Sequence, residues 1–196
     1  MEDWMQLLKE APVIAAVRTR EQLLRACSAD AAFVFILFGD LFTLPELVQQ
    51  VQQTQKKAFV HMDFLEGIGK DAAGVRWIAR IAKPAGVLST KGQLLRFAAE
   101  EKMKTVLRMF LVDSASVEKA VRMAKSSSAD LVEIMPGLLP HAIRWMREQI
   151  AQPIIAGGML ARDKDVEKVL QAGALGASTS IEALWGWKGG NEPWKR

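Results

Sequence analysis

Eight short apolar runs recur along this 196-residue chain, beginning near residues 13, 33, 58, 86, 105, 131, 153 and 176. Runs such as 13–17 and 33–38 are apolar at consecutive positions, as strands covered on both faces must be. The segments between them carry helical spacing and helix-start signals. Thr19 precedes 21–26 with Gln22 placed as the partner of a capping box, Thr43 stands before Pro45 and Glu46, and Asp71 opens a helix to residue 82. Further helices are expected from Thr90-Lys91 to 101, from Asp113 or Ser114 to 126, over 140–149, over 163–172 and, shortened, over 181–185. Eight strand-helix units with right-handed crossovers close a sheet without free edges, so a small (β/α)8 barrel is the leading architecture. An open doubly wound sheet is the alternative, and eight near-equal strands give it no evident edge. A helix at 4–9, stopped by Pro12, is placed to cap the bottom.

Composition adds exclusions. Hydrophobic residues make up 50% and charged residues 24%, the proportions of an ordinary globular protein. The longest apolar runs are too short to span a bilayer, and the acidic opening Met1-Glu2-Asp3-Trp4 is not that of a signal peptide. A cytoplasmic protein with no membrane partner is therefore expected. One cysteine, Cys27, excludes an internal disulfide and a cysteine-based metal site. A formal charge of +4 suits an anionic ligand or RNA without selecting either. Six tryptophans fall mostly on expected helices or near the end, where they pack on neighbours or on a second copy, so a homodimer is expected. Residues 1–187 are read as one barrel domain and 188–196 as a tail, whose aromatic and basic residues could also stack on RNA bases.

Polar residues that interrupt the pattern cluster at the carboxyl ends of the expected strands, where barrels of this type carry their ligand sites. Gly157 and Gly158 end the seventh strand, and Ser178, Thr179 and Ser180 end the eighth. Together they form a phosphate cup, although the Gly-Gly pair alone is also an ordinary tight turn. Arg18, Asp40, His61, Asp63, Lys91, Arg108 and Glu133 complete the rim. Arg108 and Glu133 lie inside apolar runs and need partners, either each other or a ligand. In the second case Arg108 or Lys91 balances an anion while Glu133, Asp40 and Asp63 accept bonds from hydroxyls. His61 and Asp63 are expected on one strand face, with His61 as an acid or base or as a hydrogen-bonded core residue. His61, Asp63 and Glu66 lack the spacing of a strong metal site, and no metal is assigned. These residues alone describe a phosphate-binding barrel, most of which are isomerases, aldolases or synthases, and fold does not settle function.

Several motifs occur together in order: Phe38-Gly39-Asp40, residues 60–71 (Val60-His61-Met62-Asp63 through Lys70-Asp71), Leu88-Ser89-Thr90-Lys91, Val132-Glu133-Ile134-Met135-Pro136-Gly137, Ile155-Ala156-Gly157-Gly158 and Ser178-Thr179-Ser180. In these the chain from Pro12 to about Trp185 resembles the glycerol uptake operon antiterminator regulatory proteins. The resemblance implies a non-enzymatic regulator without a cofactor. It would sense glycerol 3-phosphate as effector, bind the mRNA leader of glycerol catabolic genes and prevent premature termination. It gives no RNA surface. Basic residues of the outer helices, Arg76, Arg80, Lys102, Arg122, Lys125, Arg144 and Arg147, are the candidates, or are simply solvated. An isomerase or aldolase acting on a small phosphorylated polyol or sugar, with Asp63 or Glu133 and His61 as acid and base, is the competing expectation. A metabolite-binding scaffold acting through a protein partner is a third.

Overall fold

A computed structural model of the protein describes residues 4–189. The helix α1 (Trp4–Glu10) leads into β1 (Val13–Val17), α2 (Arg20–Ser28), β2 (Phe33–Ile36), α3 (Leu44–Gln53) and β3 (Lys57–His61). Then come α4 (Ala72–Trp77), β4 (Gly86–Ser89), α5 (Gly92–Glu100), β5 (Lys104–Phe110), α6 (Ser114–Ser126) and β6 (Leu131–Met135). The chain closes with α7 (Pro140–Gln149), β7 (Ile154–Gly157), α8 (Asp163–Gln171) and β8 (Gly176–Thr179). All strands are parallel, in sequence order, and β8 pairs back to β1 through Val13↔Ala177 and Ile14↔Ser178. That last pairing closes the (β/α)8 barrel and removes the open sheet. No helix among the described residues is long and apolar enough to cross a membrane.

Strand alternation divides the core in two. Val13, Ala15, Val34, Ile36, Val60 and their counterparts face outward into the helix layer, whereas Ile14, Phe33, Phe35, Phe59, Leu88, Val106, Leu131 and Ile155 fill the barrel. Leu8 of α1 joins the interior cluster, so this helix plugs the bottom and leaves only the strand-end mouth open. The register that buries Phe59 also puts His61, Arg108, Glu133 and Ser178 on the inward face, one layer above the apolar plug.

Local details depart from expectation for physical reasons. The Gln22 side chain accepts a bond from the Arg18 amide at 2.8 Å instead of the Thr19 amide, so the capping box at α2 is shifted by one residue. Thr43 makes no side-chain cap, because Asp40 accepts from the amides of Phe42 and Thr43 and from the Thr43 hydroxyl. The helix from Asp71 widens into a π turn over Ile78–Ala82. Beyond β8 only a 3-10 turn, Glu182–Leu184, remains of the last helix. Trp185 is buried with its indole donating to the Thr179 carbonyl at 2.9 Å, Trp187 packs on the outer core, and Lys188 pairs with Asp30 at 2.8 Å. Residues 190–196, with Trp194 and most of the expected tail, lie outside the described residues.

Gly86 shows how tightly the plug is packed. A Cβ there would overlap the Phe59 ring and approach the Lys104 carbonyl to 2.5 Å. Gly86→Ala is therefore expected to destabilise the barrel by about 1–3 kcal/mol, lowering Tm by roughly 3–10 °C in a thermal melt. An unchanged Tm would mean that the interior is looser than drawn.

Candidate functional site

The strand-end mouth opens onto a cavity of about 680 Å³, within the roughly 300–1,000 Å³ common for small-molecule sites. Arg18, Arg108, Gly158, Ser178, Thr179 and Ser180 line it, together with apolar side chains including Phe64, Phe110 and Met159. Half of the rim residues named from sequence thus meet in one space. A second cavity, about 890 Å³, lies at the opposite end between α1, α7 and α8. It is larger, but Lys9, Glu10 and Arg147 give it charges of both signs, and it lacks the buried cation found at the mouth.

That cation is Arg108, only 5% exposed. It stands opposite Glu133 in the β5–β6 register, and its Nε donates to Glu133 Oε2 at 2.6 Å. The other carboxylate oxygen accepts from the Ser178 hydroxyl. Glu133 is fully buried, both of its oxygens accept bonds inside the protein, and it is not part of the cavity lining. In this geometry Glu133 is the internal partner of Arg108, the ion pair that the sequence offered as one of its two alternatives. The terminal nitrogens of Arg108 make no hydrogen bond with a described residue and face the cavity it lines. Arg18, exposed at the mouth beside β8, is likewise without a side-chain partner among the described residues.

The two glycines of the expected cup divide their work. Gly157 faces inward, and a Cβ there would come within 2.5 Å of Glu133 Oε1 and 2.6 Å of Ser178 Oγ. It makes room for the buried network and does not line the cavity. Gly158 does line it, with φ of 75°, followed by Met159 at φ of 62°. A Cβ on Gly158 would come within 2.7 Å of Met135 Cε, the flexible end of a side chain that can shift, so it is the left-handed φ that favours glycine at this bend. The three hydroxyls divide similarly. Ser178 donates to Glu133, Thr179 donates to the Leu160 carbonyl at 2.8 Å, and the Ser180 hydroxyl is left without a partner among the described residues.

The remaining rim residues are brought near the mouth but not into the cavity. Asp40 is spent on its own turn, and the bonds from Thr43 and Phe42 hold its carboxyl below the usual range. Asp63 does not share a strand face with His61, because β3 ends at His61 and the chain turns into a 3-10 segment, Met62–Phe64. The turn aims Asp63 at the next strand, where it accepts from the Ser89 hydroxyl and from the Thr90 amide and hydroxyl, each at 2.8 Å. Burial alone would raise the Asp63 carboxyl, but these bonds outweigh it and hold the pKa low. Lys91 is exposed at the start of α5. The apolar lining, Phe64, Phe110, Met135, Met159 and Ile181, was not anticipated. The sequence signal for these residues is an apolar side chain at or shortly after a strand end, which reads equally well as more strand.

His61 is buried beneath Phe64, with ring centroids 4.3 Å apart. Its Nδ1 accepts from the Asp63 amide at 3.2 Å, which leaves the proton on Nε2, and Nε2 has no partner among the described residues. Burial and then the Arg108 charge push the imidazole pKa down to about 3, against the opposing pull of Asp63.

The closed barrel places the chain among the (β/α)8 proteins, and its cation-lined cavity lies at the strand ends, the face where such barrels carry their ligand sites. Residues 13–185 match the family described as glycerol-3-phosphate responsive antiterminator, and the chain belongs to that family. It is similar to the "Uncharacterized protein YgcP" of Escherichia coli (strain K12), 32% identical over 181 residues, or 92% of this chain and 95% of that one. Among solved structures it is similar to a glycerol uptake operon antiterminator regulatory protein from Listeria monocytogenes, with TM-score 0.82, 25% identity and coverage of 93% and 94%. It is also similar to a glycerol uptake operon antiterminator-related protein from Thermotoga maritima, with TM-score 0.79, 25% identity and coverage of 88% and 96%. Barrel enzymes at 12–14% identity, such as deoxyribose phosphate aldolase from Aeropyrum pernix, share the fold alone.

A histidine that refuses a proton in the native state but accepts one when unfolded makes stability fall with pH. The loss begins near the unfolded value of about 6.5 and continues down to about 3. NMR titration should keep the His61 ring neutral through about pH 6.5 while melts lose Tm across that window. A His61 titration at the ordinary value would contradict this burial.

Proposed function

We propose that this protein is a glycerol 3-phosphate responsive antiterminator, which binds the effector at the barrel mouth and acts on the leader of a glycerol catabolic mRNA in the cytoplasm. The observation that carries this reading is the charge of the cavity. Among the described residues the ionisable side chains that line it are Arg18 and Arg108, and the carboxylate paired with Arg108, Glu133, is buried outside the lining. Two guanidiniums suit a phosphomonoester dianion, which accepts their charge-assisted hydrogen bonds. The same lining offers no group to take or give a proton near neutral pH, so an isomerase or aldolase step has no base there. His61 is buried beneath Phe64 and lies outside the lining.

In this reading Arg108 holds the phosphate from below and Arg18 from the mouth. The Gly158-Met159 bend and Ser180 close on it from the seventh and eighth strands. The glycerol hydroxyls meet the Ser180 hydroxyl and backbone groups of the rim, because Glu133, Asp63 and Asp40 are committed elsewhere. Glu133, Ser178 and Gly157 position Arg108. Effector capture shifts the population toward the RNA-competent form through contacts made only in that form.

Calorimetry with glycerol 3-phosphate tests the site, and readthrough of a glycerol-gene leader in transcription tests the function. Arg18→Ala and Arg108→Lys should each weaken effector binding about 10-fold or more, the loss of one charge-assisted hydrogen bond. Gly158→Val should block the cavity. The effector should be recovered unconsumed. Turnover of the ligand, or full affinity in all three variants, would overturn the proposal.

A further inference from the structure

Among the described residues nine large apolar side chains are exposed, and six of them belong to one face. Phe110 ends β5, and Phe42, Phe64, Val112, Met159 and Ile181 sit on segments that follow strands, all at the end of the barrel where the cavity opens. Phe42 and Val112 are 88% and 86% exposed, although neither position requires an apolar residue for packing. A collar of this kind, with three phenylalanines, calls for a covering partner.

We infer that this collar is the RNA surface, and that unpaired nucleotides stack on Phe42, Phe64 and Phe110 directly above the bound effector. The inference rests on the proposed antiterminator function and supplies the surface that reading lacks. Single-stranded RNA is recognised by aromatic faces set beside cations, since every base has a π face and every linkage a charge. The rim supplies both. Arg18 is exposed at the mouth and Lys91 is exposed at the start of α5, whereas Arg162 at the start of α8 is paired with Asp165 at 3.2 Å. Of the rim carboxylates, Asp40 and Asp113 accept bonds from the amides of their own turns.

The outer helices offer less. Arg76 and Arg80 share Glu101, and Arg122 lies 3.7 Å from Glu118, so part of the basic stripe expected there is already neutralised. A second copy of the chain is the other occupant that an apolar collar suggests. Two-fold pairing of mouths would set the Arg18 and Arg108 openings against their own copies, and like charges brought together oppose association. RNA brings the opposite charge. Stacking above the effector also gives a direct route for effector dependence, because the ligand neutralises the arginines and forms the floor on which a base rests.

The test uses the whole chain with glycerol 3-phosphate and a leader transcript carrying 4-thiouridine. Photo-crosslinks are expected on the loops after the second, third and fifth strands. Phe42→Ser, outside the cavity, should weaken RNA binding about 10-fold with effector affinity in calorimetry unchanged. If RNA affinity survives in Phe42→Ser and Phe42→Ser/Val112→Ser while crosslinks fall on α4, α5 or α6, the surface is wrong and the antiterminator reading stands. If the native protein with effector binds no leader RNA, both fall. If the variants turn a dimer into a monomer in sedimentation with RNA affinity intact, a second copy covers the collar and the inference is overturned.

Discussion

The buried pair between Arg108 and Glu133 sets the terms for the mouth of this barrel. Two charges facing each other across β5 and β6 lie above an apolar plug, where an unpaired ion would cost several kcal/mol. The pair answers that cost by using one nitrogen of the guanidinium and both oxygens of the carboxylate, with Ser178 supplying the second bond. Such an arrangement is asymmetric. The anion is sealed, whereas the cation still has unused donors on the cavity side, so the site presents positive charge and conceals negative charge. Gly157 permits this by leaving space that any side chain would fill.

Much of the fold was legible because its causes are local. Parallel strands buried on both faces read as unbroken apolar runs, helix starts carry their caps, and the bottom helix is announced by Pro12. Arg108 and Glu133 were also legible, as charges inside apolar runs that must find partners. Which partner each takes was not, because that depends on register between strands about 25 residues apart in sequence. Asp63 was misplaced for a similar reason. Alternation carries His61 inward, but β3 ends there, and a 3-10 turn hands Asp63 to the next strand. Gly157 and Gly158 looked alike in sequence and differ in the structure, one making room for Glu133 and the other taking a left-handed bend.

The residues that sequence reasoning missed are apolar. Phe64, Phe110, Met159 and Ile181 line the cavity, and each ends a strand or follows one so closely that it reads as ordinary strand. Their position beside two arginines gives the mouth an amphipathic character suited to phosphate esters and to bases.

A crystal structure with glycerol 3-phosphate bound addresses the charge asymmetry at its source. The phosphate should lie within hydrogen-bond distance of the terminal nitrogens of Arg108, with the Glu133 pair intact and Gly158 at its edge. A phosphate seated in the lower cavity between α1, α7 and α8, or one that has drawn Arg108 away from Glu133, would contradict it.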